Sequence, residues 1–286
     1  MSKLGTVTVG KDSPIRIMGI LNTSPESFYK KSIKTSDRDI SQTIRKMEQQ
    51  GADIIDIGGM STAPYLSTLI SERTESQRIS QAIKIAQRVS NLPISVDTCR
   101  ARVAKTALEL GADIINDISG LKFDKEMPKV LERFQPSVIV CAFSKKPVTG
   151  NNLLQTKKLI SDSIKLAKSS GIKNIVVDPA IGFFRNTGTG LFFTKFNFDW
   201  IKRDLEILSS LSKVKMNFPV LVSVSNKSFL GKILQKPNPD DRLAGSLACE
   251  VMSAINGADI IRTHNVKFTK EVIQPIQRFL RTNKSL

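Results

Sequence analysis

Short apolar runs in this chain end abruptly in a polar side chain, and the polar types are those that grip charged or hydrogen-bonding ligands. The ends are Asn22, Asp56, Asp97, Asn116, Asp178, the group Ser225 to Lys227, and Arg262 with His264. They sort into two chemical sets. Asp97, Asn116 and Asp178 offer carboxylates and an amide, the groups that read a flat, amide-rich heterocycle through paired hydrogen bonds. Lys227, Arg262 and His264 offer donors and positive charge, as a phosphate or diphosphate requires. Asn22 offers an amide oxygen suited to completing a Mg2+ shell shared with phosphate oxygens. Taken singly, each is equally a helix N-cap or a loop hydrogen bond. His264, the single histidine of the chain, is equally a neutral imidazole satisfied in a loop. Their meaning depends on whether the fold brings them together.

The elements that would do so are written in a repeat. Gly-Ala-Asp-Ile-Ile occurs at 51–55, 111–115 and 257–261, with a looser version at 171–177. An amphipathic, helix-period segment precedes each glycine and a β-branched run follows it. That is a helix stopped by a C′ glycine and then a buried parallel strand. Repeated units of this kind predict an α/β fold, a closed (β/α)8 TIM barrel. The expected strands are 15–21, 53–58, 93–97, 113–117, 137–142, 174–178, 219–224 and 259–263. The expected helices are 36–50, 74–90, 100–110, 125–134, 154–170, 198–212, 241–256 and 267–281. Residues 1–14 read as a short hairpin or lid over the barrel floor. With no linker or shift of composition, the chain reads as one domain over residues 1–286.

In a barrel the C-terminal ends of the strands form the active site. Seven polar ends converging on one rim would leave several buried polar groups unpaired unless a polar ligand met them. Two loops above the rim, 22–28 and 58–64, are rich in small and hydroxyl residues, as lids that exclude water are. The remaining features bound the function. Net charge is +17, but Lys and Arg are spread along the expected helices. With two Tyr and one Trp there is little to stack nucleobases on, and no nucleic-acid partner is expected. No apolar run nears the roughly 20 residues that span a bilayer, so no membrane partner is expected either. The N-terminus lacks the pattern of a secretory signal. Three cysteines without metal-type spacing read as reduced thiols of a cytoplasmic protein.

The strings ILNTSPESF, GADIIDIGGMSTAP, ISVDT, GADIINDISG, DPAIGF, SNKSF, RLAGSLA and GADIIRTHNV occur in that order between about residue 15 and 266. Together they resemble the signatures of the dihydropteroate synthase family of pterin-binding barrels. The resemblance implies a transferase that joins 6-hydroxymethyl-7,8-dihydropterin diphosphate to an arylamine, p-aminobenzoate or similar, and releases diphosphate. It implies that Asp97, Asn116, Asp178 and Lys227 hold the pterin, with Asp97, Asp178 and Lys227 catalytic. Asn22, Arg262 and His264 would hold the diphosphate with Mg2+. Thr62, Pro64, Phe183 and Ser228 would line the arylamine site. A homodimer is a further implication.

The departures from the family pattern gather on the arylamine side. Where Glu-Ser-Thr-Arg-Pro is usual, this chain has Met60, Ser61, Thr62, Ala63 and Pro64. Asn226 replaces an Arg, Ser223 stands where Gly is common, and Phe184 with Arg185 replaces Gly-Lys. Two neighbouring activities therefore stay open. One is a synthase taking a ribosylated, phosphorylated aniline, as in methanopterin-type cofactors. The other is a pterin-binding methyltransferase domain, against which the intact loop at 22–28 and Arg262-Thr-His264 speak.

Overall fold

The computed structural model describes residues 2–24, 36–62, 69–188 and 190–282. A hairpin of β1 (Ser2–Leu4) and β2 (Val7–Val9) opens the chain. Parallel strands then alternate with helices: β3 (Arg16–Asn22), β4 (Ile54–Gly58), β5 (Ile94–Asp97), β6 (Ile114–Asp117), β7 (Ser137–Cys141), β8 (Ile175–Asp178), β11 (Leu221–Val222) and β12 (Ile260–Thr263). Their order in the sheet is β11-β12-β3-β4-β5-β6-β7-β8. A bridge between Val177 and Val220, with Val177 N donating to Pro219 O at 2.9 Å, brings the last strand round to the first. This is the (β/α)8 barrel that the repeat predicts.

The helices are α1 (Asp37–Gln49), α2 (Glu72–Val89), α3 (Ala101–Glu109), α4 (Met127–Phe134), α5 (Asn152–Ser169), α6 (Trp200–Ser209), α7 (Leu211–Val214), α8 (Ser228–Ile233), α9 (Leu243–Ile255) and α10 (Val266–Thr282). Three features were not expected. The helix foreseen at 198–212 is broken into α6 and α7. A separate short α8 precedes α9. A two-residue parallel pair, β9 (Phe184–Arg185) and β10 (Thr194–Lys195), lies in the loop after β8.

Strand alternation divides the apolar residues into two shells. Ile55, Ile57, Val96, Ile115, Val138, Val140 and Val177 face outward into a core shared with Ile79, Ile83, Leu131 and Ile160 of the helices. Met18, Ile54, Ile114, Ile139, Val176, Leu221 and Ile260 face inward, where Leu4 and Val9 of the hairpin pack against them. The hairpin thus plugs the barrel floor.

The repeated Gly-Ala-Asp has a job at each strand start. The glycines at 51, 111 and 257 have φ of +89°, +88° and +105°, a conformation that costs a Cβ-bearing residue energy and ends the preceding helix. The Asp that follows binds the neighbouring strand with its side chain. Asp53 Oδ2 accepts from Ile17 N at 2.8 Å, Asp113 Oδ2 from Ile94 N at 2.9 Å, and Asp259 Oδ2 from Val220 N at 2.8 Å. In each case the Asp N–H also donates to that strand, to Ile17 O, Ile94 O and Val220 O.

Candidate active site

Two residues beyond the apolar floor on the same strand faces, the interior becomes polar. Ile54 is followed by Asp56, Ile114 by Asn116, Val176 by Asp178 and Ile260 by Arg262. At this level the structure gathers most of the residues singled out from sequence. A pocket of about 80 Å3 is lined by Asn22, Thr62, Asp97, Phe183, Lys227, Ser228, Arg262 and His264, among others. Asn116 and Asp178 are buried and are not among the lining residues; Asn116 is joined to Arg262 through Asp56, and Asp178 lies in the fields of Lys227 and Arg262. Pro64 and Ala63 lie outside the described residues.

Arg262 is the electrostatic centre. Its Nε donates to Asp56 Oδ2 at 2.6 Å and its Nη2 to Asp97 Oδ2 at 2.8 Å. Burial works against the guanidinium charge, but Asp56 and Asp97 outweigh it and raise the Arg262 pKa. Asp97 is pushed up to about 7, first by burial; Arg262 opposes this and Asp56 adds to it. Asn116 Nδ2 donates to Asp56 Oδ2 at 3.3 Å. With its nitrogen so engaged, the Asn116 amide is oriented by Asp56. Asp56 closes its apolar run as the others do, and the sequence alone assigns it no role. The missed signal is a carboxylate on the same inward face as its fellows.

The opposite wall carries Lys227. Its Nζ lies 4.0 Å from the centroid of the Phe183 ring. Its pKa is lowered to about 8, chiefly by burial and then by Arg262, with Asp178 acting the other way. Gly182 allows this approach: a Cβ there would sit 3.0 Å from Lys227 Cδ. The turn before Lys227 is pinned from behind. Asn226, at φ +57°, donates its N–H to Ser246 Oγ at 2.9 Å, and its carbonyl accepts from Arg242 Nη1 at 3.0 Å. Burial raises the Asp178 pKa, countered by the Ala180 N–H at 2.6 Å and by Lys227.

His264 Nδ1 lies 3.2 Å from Ser225 Oγ. Its pKa is pushed down to about 3 by enclosure in the pocket and then by the charges of Arg262 and Lys227. That direction favours the neutral imidazole, one of the two readings that the sequence leaves open for it. A bound anion would favour its protonation.

Buried ion pairs outside the pocket hold its walls. Arg203 of α6, 1% exposed, donates to Pro179 O at 2.7 Å and to Asp204 Oδ1 at 3.0 Å, and lies over the Phe184 ring. Asp204 Oδ2 in turn accepts from Gly182 N at 2.9 Å. This clamps the loop carrying Phe183. Behind the Gly58–Gly59 turn, Glu75 accepts from Thr98 Oγ1 and Arg100 Nη1, both at 2.8 Å. Breaking such a buried pair costs roughly 3–5 kcal/mol, because the surviving charge is left unpaired.

For Mg2+ the described residues offer little by themselves. They contain no group of three His, Cys, Asp or Glu that would hold a metal ion, and Asn22 contributes one amide oxygen to the pocket. That donor set suits an ion carried in on phosphate oxygens and not a resident one.

Residues 18–264 match the family described as pterin binding enzyme. The chain is 35% identical to the dihydropteroate synthase of Synechocystis sp. over 90% of this chain and 87% of that protein. Among solved structures, the dihydropteroate synthase of Coxiella burnetii in complex with pteroic acid superposes with a TM-score of 0.80 at 33% identity, covering 93% of this chain and 94% of that one. The Xanthomonas albilineans dihydropteroate synthase with 4-aminobenzoic acid gives 0.81 at 25% identity, covering 94% of each chain.

Proposed function

The chain belongs to the pterin-binding enzyme family, among its dihydropteroate synthases, and from that premise we propose how its own residues catalyse the transfer. The reaction joins 6-hydroxymethyl-7,8-dihydropterin diphosphate to an arylamine, p-aminobenzoate in the first instance, within folate-type cofactor biosynthesis. The observation that carries the reading is the convergence of Asp56 and Asp97 on one guanidinium, at 2.6 and 2.8 Å, beside Lys227 in a single pocket.

Asp97, Asn116 and Asp178 present acceptors to the amino and amide edge of the pterin, and Lys227 donates to it from the Phe183 side. The bond between the pterin methylene and the diphosphate oxygen breaks first, and its electron pair leaves with the diphosphate. The positive charge left on the methylene is shared with the pterin ring and stabilised by Asp97 and Asp178. Arg262 and His264 receive the departing anion. The lone pair of the aniline nitrogen then forms the new carbon–nitrogen bond, and that nitrogen gives up one proton to water. An aniline is unprotonated at neutral pH, so no strong base is needed. Thr62, Phe183 and Ser228 line the side from which the amine approaches.

Asn22 would help to hold a Mg2+ ion brought in with the diphosphate, where the ion would supply charge neutralisation for the leaving group. The chain is read as one catalytic domain that works as a homodimer. Exposed Met252 and Ile255 on α9 and Phe268 and Phe279 on α10 supply apolar surface for pairing, and sedimentation of the purified protein as a monomer would end that part of the reading. No described helix is long and apolar enough to cross a membrane, and Cys99, Cys141 and Cys249 are unpaired thiols, in keeping with a cytoplasmic enzyme.

Incubation with the pterin diphosphate and p-aminobenzoate tests the whole: dihydropteroate and diphosphate are expected in equal amounts. Product from a ribosylated, phosphorylated aniline but not from p-aminobenzoate would move the chain to methanopterin-type synthesis. Binding of a methyl-tetrahydropterin without diphosphate release would make it a methyltransferase domain.

A further inference from the structure

The arylamine side of the pocket has a cation that no expectation assigned. Arg185 closes β9, is 6% exposed, and lines the same pocket as Thr62, Phe183, Lys227 and Ser228. Two contacts fix it. Its guanidinium carbon lies 3.5 Å from the centroid of the Trp200 ring, and its Nη2 donates to Ser228 Oγ at 2.5 Å. A guanidinium stacked on an indole and bonded along one edge is oriented before any ligand arrives.

The cations of the pocket differ in their partners, and Arg185 shares the field of Asp204 with Lys227. Arg262 is bound to Asp56 and Asp97, Lys227 lies over Phe183 within the fields of Asp178 and Asp204, and His264 Nδ1 lies against Ser225 Oγ. Position 63 is Ala and position 226 is Asn, so neither brings a cation. Phe183 beside Arg185 thus makes a wall with an apolar ring at one end and a positive charge at the other. Because Ser228 Oγ accepts from Arg185, its own proton is left to point elsewhere, and hydroxyl and guanidinium form a two-part donor.

Resting on the synthase reading above, we propose that Arg185 is the specificity residue for the acidic end of the amine. Arg185 and Ser228 bind the carboxylate of an aminobenzoate whose ring lies against Phe183. A carboxylate pairs with a guanidinium through two parallel hydrogen bonds.

Steady-state kinetics of wild type, Arg185→Gln and Arg185→Lys test this with p-aminobenzoate and with its uncharged methyl ester as paired substrates. Arg185→Gln should raise the KM for the acid roughly tenfold to hundredfold, the weight of one charged hydrogen-bond pair. The KM for the ester, the KM for pterin diphosphate and kcat should stay within about twofold, the scatter expected where no contact is lost. Arg185→Lys, which keeps the charge and loses the fork, should fall between. Equal losses for acid and ester would mean that Arg185 only packs Trp200 and would overturn the proposal, as would no change for either. A wild-type enzyme that forms no product from either amine would overturn the synthase reading and this one with it, an outcome visible before any variant is made.

Discussion

The floor and the rim of this barrel are built by the same strands, two residues apart, and have opposite chemistry. At the floor, Ile54, Ile114, Val176 and Ile260 meet Leu4 and Val9 in a dry layer. One step toward the C-terminal end, Asp56, Asn116, Asp178 and Arg262 meet in a layer of charge. Both layers are buried, so burial alone says nothing about purpose. What differs is whether each group is satisfied by its neighbours. The floor is complete as it stands. In the rim, Asp56 Oδ1 has no hydrogen-bond partner among the described residues, and Asp97 is driven toward its neutral form. A layer left in that condition costs stability and is ready to accept a ligand.

The contrast makes opposite predictions for substitutions at neighbouring levels. The largest effect belongs to the rim: Asp97→Asn should lower kcat/KM about a thousandfold or more, while the melting temperature does not fall. A variant that melts markedly earlier would mean that Asp97 holds the barrel together. At the floor, Ile114→Ala should lose roughly 2–5 kcal/mol in denaturant unfolding and keep kcat/KM within a few fold. A hundredfold loss of activity there would erase the distinction between the layers.

The smallest effect is expected at a buried acid away from both layers. Glu250 of α9 is fully buried and accepts from Thr269 Oγ1 at 2.8 Å, while its Oε1 has no hydrogen-bond partner among the described residues. Burial raises its pKa from 4.5 to about 7. The folded protein therefore holds this proton more tightly than the unfolded chain. Stability that is intact below about pH 4.5 is lost as the pH rises to about 7, up to about 3 kcal/mol in all. Glu250→Gln cannot ionise, so its melting temperature should match wild type at low pH and exceed it by several degrees above pH 7. Equal curves at every pH would show that the acid is relieved by other means.

The barrel and its strand ends are legible in the sequence because both follow short-range rules. The glycine, aspartate and β-branched run of residues 111–115 announces a helix stop and a strand in five letters, and β6 begins within it. Asp97, Asn116 and Asp178 are legible because each closes such a run. What escaped has no local period. β9 and β10 are two residues long, and Arg185 gains its meaning from Trp200 and Ser228, partners brought in by α6 and α8. Arg203 sits in an amphipathic helix, where an arginine reads as solvated, yet it is among the most deeply buried side chains. Charges paired across elements leave no trace in spacing. The sequence leaves the His264 charge state open for the same reason, since it depends on burial and on Arg262 and Lys227 around it.

The three aspartates at the strand starts bear on how the chain avoids a wrong barrel. Side chains alternate along a strand, so a slip of one position would turn Asp56 or Asp178 out among the helices and bring their apolar neighbours inward. Asp53, Asp113 and Asp259 each grip one particular amide of the adjoining strand, and a slipped pairing would forfeit that grip. They act as alignment keys at three of the seams, far from the chemistry, and determine which residues are available to perform it.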